Sequence, residues 1–455
     1  MKLLKTSAAL LVSAALLAGC NSDSSDSETQ MGDVKLATFN LSFDRDTLEG
    51  LNAELNVEPA RQNVLVAAYL NEELTDESEI ELAEHIIQIR NVAAIIQTQR
   101  PNVIMMAEFN NDGTGEDLSH LEAFQKNYLS VAQSSEGAGG APNLEPIEFP
   151  FAESYATNTG LVSGLDLDRD GSDGTQLPGD AWGFGFYHGQ YAFALMSQYK
   201  IDTANTRTFQ EFKWKDLDNA SIPTVTLCDE PIPAELSCGE NWYTAEQWEQ
   251  VRLSSKNHVD APILVPNSKG ELETVHLLMS HPTPPVFDAG RNQAMNAAEV
   301  EFWNHYIQDA EFIYDDNGVT GGLDEGNHFV IMGDLNLERW DGDGIPEAME
   351  ELHNNPLVNQ EVANGSLYPT SSGALEHATD SNSTHPYPER ITSLFGLAVD
   401  YAMPSATLNV TDSGVYWSAT GEAGRLLFND ERVGDYGDGK DISSDHRMVW
   451  IEANL

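Results

Sequence analysis

The sequence predicts an α/β architecture with helices covering β-sheets, and three observations predict it. Apolar runs of strand length recur at long intervals, the clearest being Phe329, Val330, Ile331 and Met332. Between such runs lie segments with a helical rhythm, such as Leu82, Ile86, Ile89, Val92 and Ile96. The runs also end on polar residues, and the ends of strands are where α/β sheets carry chemistry. A chain of 455 residues is long enough for one large domain or two ordinary ones. With no internal repeat and no composition break after residue 34, one domain over 34–455 is expected, carrying an insert at 200–260.

Residues 1–19 read as a removable address. Lys2 and Lys5 form a basic start, Ala8 to Ala18 is an apolar core too short to span a bilayer, and Leu17-Ala-Gly-Cys20 closes it. That ending resembles the bacterial lipobox, which implies cleavage before Cys20 and lipid on its thiol. Asn21 after the cysteine points to the outer membrane rather than the inner one. Residues 20–33, rich in Ser, Asp and Glu, then form a disordered tether. The expected location is therefore the cell envelope, outer membrane or cell surface, with membrane contact only through the anchor and a monomeric domain beyond it. In an oxidising compartment Cys228 and Cys238 are expected to form a disulfide; two thiolates without histidines at ligand spacing are too few for zinc.

The formal net charge is −50, from 73 acidic and 23 basic side chains. Such a field draws divalent cations and repels polyanions at low salt. Long nucleic acids are gripped by many Lys and Arg, so small or lipid-derived phosphoesters are favoured over nucleic acid as partners.

In chain order, Val34 to Asn40 reads as a strand ending on an amide. A helix over Ile80–Arg100 stops at Pro101, and Asn102 to Phe109 is a buried strand delivering Glu108. A carboxylate after five apolar residues is a costly placement unless it is paired or metal-bound. In Gly164–Gly174, Asp166, Asp168, Asp170 and Asp173 surround Gly171 like part of a calcium loop. The closing bidentate Glu of an EF-hand is missing, and an acidic solvated turn is the alternative. Tyr191–Ser197 is a third strand. The aromatics of 200–260 (Trp214, Trp242, Tyr243, Trp248) read as a local core or, alternatively, a ligand platform. Leu272 to His281 is a fourth strand, Asn292–Ala310 a helix, Leu397–Met403 a strand containing Asp400, and the stretch after Ser443-Ser-Asp-His446 a last strand.

The residues at these strand ends form a set: Asn40, Glu108, His281, Asp334, Asn336, Asp400, Asp445 and His446. For each alone the bland reading stands beside the functional one, a polar turn for the carboxylates and a satisfied core histidine for His281. Taken together, the carboxylates and amides suit a hard cation, Mg²⁺, Mn²⁺ or Ca²⁺, and two histidines add proton transfer near neutral pH. That combination serves phosphoester cleavage.

In this order the set resembles the endonuclease/exonuclease/phosphatase superfamily, the DNase I-like fold. The resemblance is carried by Ala37-Thr-Phe-Asn40, the strand ending at Glu108, Ala194-Leu-Met-Ser197, Ser280-His281, Gly333-Asp-Leu-Asn336, Val399-Asp-Tyr401 and Ser444-Asp-His446. The longer phrases Arg252-Leu-Ser-Ser-Lys, Ser280-His-Pro-Thr-Pro-Pro and Ser444-Asp-His-Arg look like a secreted bacterial branch of it. The resemblance implies an α+β four-layer sandwich, two mixed β-sheets flanked by helices. It implies metal ligation by Glu108, Asn40 and Asp445, and a water oriented or deprotonated by Asp334 with Asn336 beside it. It implies His446 steadied by Asp445, and His281 paired with Asp400. The family often has Gln before its metal-binding Glu, where this chain has Ala107, and Ser-Arg where it has Ser197-Gln198. Lys256 and His258 are candidates for gripping a phosphate, with a surface Lys as the alternative. The expected activity is metal-dependent hydrolysis of extracellular phosphodiesters or phosphomonoesters with Mg²⁺ or Mn²⁺, with Ca²⁺ as a further structural or catalytic candidate. An extracellular nuclease active in salt and a non-catalytic calcium-binding surface protein are the alternatives. A membrane-docking aromatic tip would have to come from Trp242-Tyr243.

Overall fold

Twelve strands build the molecule in a computed structural model that describes residues 32–434 and 439–455. They are β1 (Asp33–Phe43), β2 (Val103–Phe109), β3 (Phe151–Ser154), β4 (Ala194–Ser197), β5 (Lys200–Ile201) and β6 (Arg207–Thr208). After these come β7 (His258–Pro266), β8 (Leu272–Ser280), β9 (His328–Asp334), β10 (Asp400–Pro404), β11 (Asn409–Tyr416) and β12 (Met448–Asn454). The expected signal segment, Cys20 and most of the tether lie outside the described residues. The strands make two six-stranded sheets, ordered β11-β12-β1-β2-β4-β3 and β10-β9-β8-β7-β5, with β6 also on β7. In each sheet one central pair, β1–β2 or β8–β9, is parallel and the remaining pairs are antiparallel. Both sheets are therefore mixed.

Alternation along the strands sets the layers. Val275, Leu277 and Met279 of β8 and Val330 and Met332 of β9 join Leu36 and Phe39 of β1 in one apolar cluster. The residues between them, Leu278, Phe329 and Ile331, pack instead with Val300, Phe302 and Trp303 of the helix Arg291–Tyr306. A period of two thus sends one set of side chains to the other sheet and the next to the helix. On the far side the helix Glu77–Gln99 buries Ile89, Val92, Ala93 and Ile96 against the first sheet's cluster. Helix, sheet, sheet, helix is the four-layer sandwich. The Glu77–Gln99 helix starts where Asp76 accepts from the N–H groups of Ser78 and Glu79, and Arg100 turns left-handed (φ 49°) ahead of Pro101.

Several expected boundaries move for identifiable reasons. The strand carrying Asp400 begins at that residue, because the Ala398 N–H is taken by Glu338 Oε2 (2.8 Å) and not by a ladder partner. Strand β7 has no counterpart in the sequence reading, since Pro262 argues against a central strand. Pro262 lies opposite the gap between the short strands β5 and β6, where that side of β7 needs no ladder N–H. Strand β11 is a polar edge with little apolar content to mark it. In 200–260, Trp214, Trp242 and Tyr243 are core residues alongside Phe209 and Phe212. Trp242 and Tyr243 are 2% and 4% exposed, so this pair is not a membrane-docking tip. Cys228 and Cys238 are joined, with Cα atoms 5.4 Å apart. Among the described residues no helix is long and apolar enough to cross a membrane.

Gly333, still paired with Tyr401 within β9, permits a positive φ and the close approach of β8. Its φ is +148°, and a Cβ there would lie 2.0 Å from the Ser280 carbonyl oxygen. Gly333→Ala is expected to destabilise the fold by about 3 kcal/mol or more, read as a fall in the urea midpoint.

Candidate active site

The antiparallel pairing of β9 with β10 places Asp334 directly opposite Asp400. Like charges in that position repel, so the pairing calls for a cation between them. His446, from the loop that precedes β12, supplies it: Nδ1 lies 2.9 Å from Asp400 Oδ2 and Nε2 lies 3.6 Å from Asp334 Oδ2. Ligand atoms of these three buried residues all lie within 4.8 Å of one another. Thr392 donates its hydroxyl to Asp400 Oδ2 (2.8 Å) and holds that carboxylate in place. Asp334 Oδ2 also accepts from Asn40 Nδ2 (3.1 Å) and stands 3.5 Å from His281 Nε2, while its Oδ1 accepts from the Asn336 N–H (3.0 Å).

Two expected pairings are corrected by this geometry. His446 is hydrogen-bonded to Asp400 and draws only a smaller electrostatic pull from Asp445, because the cross-strand register brings Asp400 under its ring. His281 is partnered by Asp334 and not by Asp400, whose Oδ2 is already occupied by His446 and Thr392. Asn336 follows with φ +53° and donates Nδ2 to the Pro282 carbonyl (3.1 Å).

A second pocket adjoins the first at the ends of β1 and β2. Glu108 takes φ +53°, and Ser42 does the same at the end of β1. Left-handed backbone outside glycine persists only where the surroundings over-determine it, and here it recurs at strand ends around one site. Ser42 Oγ donates to Asp445 Oδ1 (2.6 Å), and the Ser42 N–H donates to Asn40 Oδ1 (3.0 Å). Asp44, just past β1, shares this pocket, since one ammonium, that of Lys440, reaches both Asp44 Oδ1 (3.3 Å) and Glu108 Oε2 (4.0 Å). The donors fit a hard divalent cation: carboxylates from Asp44, Glu108 and Asp445, an amide from Asn40, and a buried Glu108 Oε2 that makes no hydrogen bond.

Electrostatics divide the groups by role. Burial, with the Asp44 charge next, pushes the Glu108 carboxyl up to about 8 against the pull of Lys440. Burial also lifts Asp334 to about 6, with Asp400 adding to the rise and His446 and Asn40 opposing it. Burial alone would lower His446, but Asp400 and Asp334 overcome it and hold the imidazolium well above its ordinary range. His281 goes the other way: burial, then the positive Lys256 and His446, keep it neutral. Asp445 ends below its usual value, because His446, Lys440 and the Ser42 hydroxyl overturn the rise that burial would cause.

Lys256 is buried at this site, with Nζ donating to the Pro282 carbonyl (3.2 Å). His258 is not a phosphate ligand. It is fully buried beneath Phe302 and Trp303, with Nδ1 2.6 Å from Ser254 Oγ and Nε2 2.8 Å from the Glu299 carbonyl. Glu299 braces the loops behind Lys256 and His281, accepting from the N–H groups of Ser255 and Thr283 (both 2.7 Å). Of the acidic loop, Asp166, Asp168 and Asp170 come together and Asp173 turns to the Thr175 hydroxyl (2.5 Å). The N–H groups of Asp170 and Gly171 supply donors to Asp166, and that of Asp170 also to Asp168.

Sequence reasoning missed Asp44, Thr392, Glu299 and Lys440. Asp44 lies just past β1, beyond the irregularity that the left-handed Ser42 introduces between Asn40 and Phe43, so the strand's period of two does not reach it. The other three reach the site from a loop (Thr392) and from two helices (Glu299 and Lys440) that carry no strand-end signal.

A four-layer sandwich with carboxylates, amides and histidines gathered at its strand ends defines a phosphoester-cleaving class of site. The chain belongs to the endonuclease/exonuclease/phosphatase family, whose profile matches residues 86–446, and members of that family are metal-dependent phosphoesterases. No curated protein matches the chain. Among solved structures it is similar to an endonuclease/exonuclease/phosphatase from Beutenbergia cavernae, at 13% identity and TM-score 0.39, covering 93% of this chain and 72% of that one. A family protein from Leptotrichia buccalis gives 13% identity and TM-score 0.39, covering 93% and 100%. A mutant beta toxin from Staphylococcus aureus with bound magnesium ions gives 13% and 0.38, covering 92% and 99%. Membership rests on the profile match and not on these similarities.

Proposed function

We propose that the protein is a lipid-anchored hydrolase of the cell envelope, at the outer membrane or cell surface, that cleaves extracellular phosphodiesters or phosphomonoesters by water attack. Small or lipid-derived esters are its preferred substrates over nucleic acid. The observation that carries the reading is the His446 imidazolium held between Asp334 and Asp400 beside the Asp44–Glu108–Asp445 pocket. One group is a positioned cation, one a carboxylate that ionises near neutrality, and the pocket collects negative charge that a metal offsets. Mg²⁺ or Mn²⁺ is the ion proposed, held by Glu108, Asp445, Asp44 and Asn40. When bound, such an ion supplies Lewis-acid stabilisation of charge on the phosphate oxygens.

The chain's own groups then act as follows. Asp334 Oδ2, steadied by Asn40 Nδ2, orients the attacking water and accepts its proton. Asn336, at the head of the same loop, holds that water or a phosphate oxygen. His446 remains protonated and contacts the scissile phosphate as a fixed cation. His281 is neutral, with Nε2 turned toward Asp334 and Nδ1 unpartnered, and serves the leaving-group side. Beside His446, Lys256 and Lys440 are the lysines held against this cluster among the described residues. Two lysines suit one or two phosphates better than a tracked polyanion.

The pH dependence follows with its sign. The reactive form of Asp334 is the carboxylate, which fills as pH rises, so the rate is expected to climb through about pH 6. The reactive form of His446 is the imidazolium, raised well above the usual histidine range, so the alkaline fall comes well above pH 6.5. A pH–rate profile at saturating Mg²⁺ checks both limbs. The substrate is read from a panel of bis(p-nitrophenyl) phosphate, p-nitrophenyl phosphate, sphingomyelin and plasmid DNA, each at low and high salt. Best turnover on a small or lipid ester supports the reading. Turnover confined to DNA at high salt replaces it with a salt-active nuclease.

A further inference from the structure

Lys440 stands where the pocket's donors converge. Its side chain is 43% exposed, yet its ammonium lies 3.3 Å from Asp44 Oδ1 and 4.0 Å from Glu108 Oε2, with Asp445 also attracting it. It comes from the short helix Gly439–Ile442, just ahead of the Ser443–His446 segment that carries Asp445 and His446. Glu108 Oε2 accepts no hydrogen bond, and among the described residues the ion pair it makes is with this ammonium. A monovalent cation on a flexible tether thus sits among oxygens that suit a divalent one. Both cannot stay at these distances, because two cations so close in a recessed pocket repel each other strongly. The lysine side chain is part-exposed and its bonds rotate freely, so its ammonium can swing toward solvent.

We infer that Lys440 is the internal counter-ion of the Asp44–Glu108–Asp445 pocket, and that a divalent cation binds there by exchange with its ammonium. The inference rests on the metal-site reading above. It assigns Lys440 two effects: it neutralises the carboxylates when the ion is absent, and it sets the concentration at which the ion enters. Lys440 is then a residue that tunes metal affinity, and Asp44, released from its ion pair, joins the ligand set.

The test is Mn²⁺ binding to the full-length chain, followed by electron paramagnetic resonance of free Mn²⁺ and by calorimetry, with no substrate present. Lys440→Met keeps the stem and removes the charge; it is expected to bind Mn²⁺ at least about tenfold more tightly than wild type. Lys440→Arg is expected to stay close to wild type. The metal-free Lys440→Met protein should also melt lower than metal-free wild type, with the difference vanishing at saturating Mn²⁺. Equal or weaker Mn²⁺ binding by Lys440→Met overturns the exchange and leaves the metal site standing. No Mn²⁺ binding by wild type and Lys440→Met alike overturns both.

Discussion

Asp334→Asn is expected to reduce phosphoester hydrolysis by about a thousandfold, the scale of a lost general base. Asp334 is the one carboxylate that touches Asn40, His281 and His446 together, so its loss removes the proton acceptor and leaves the scaffold around it. The fold should survive. The carboxyl is lifted to about 6, which means that ionising it at pH 7 opposes folding, and the opposite-strand Asp400 adds to that opposition. The variant should therefore melt within a few degrees of wild type. Steady-state rates and a thermal melt on one preparation check both halves; a large fall in Tm would make the lost rate uninterpretable as chemistry.

The second large effect is on the metal pocket. Glu108→Gln is expected to weaken Mg²⁺ or Mn²⁺ binding by at least about a hundredfold, since it removes the charge of the ligand around which the pocket is strained. In the wild-type protein the same carboxyl, lifted to about 8 with no ion bound, should make metal affinity fall as pH drops below that value. One proton must leave for the ion to enter, so the fall approaches about tenfold per pH unit. Calorimetric titrations at several pH values read the slope, and Glu108→Gln should flatten it.

Much of this site was legible in the sequence, and the reason is geometric. Strands that end in a buried sheet leave polar residues only where solvent or ligand meets them, so Glu108, Asp334 and Asp445 announced themselves one strand at a time. The partnerships did not. Whether Asp400 serves His281 or His446 depends on the register of β9 against β10 and on the path of the loop before β12, and neither is written in local periodicity. Lys440 meets Asp44 across 396 residues of chain, so nothing near either residue marks the other. His258 misled for a complementary reason. It follows a polar Ser-Ser-Lys-Asn run that reads as surface, yet Phe302 and Trp303 from a distant helix close over it. In the fold, the long helices and apolar strands were readable, while β7 hid behind Pro262 and β11 behind its polar edge.

The central claim is that this cluster hydrolyses phosphoesters with a divalent ion. Its most direct test is turnover of bis(p-nitrophenyl) phosphate by the chain from Met31 onward, first as purified, then with EDTA, then with Mg²⁺ or Mn²⁺ restored. The account predicts hydrolysis that EDTA abolishes and either ion restores in wild type but not in Asp334→Asn. Hydrolysis indifferent to EDTA, or undiminished in Asp334→Asn, would contradict it.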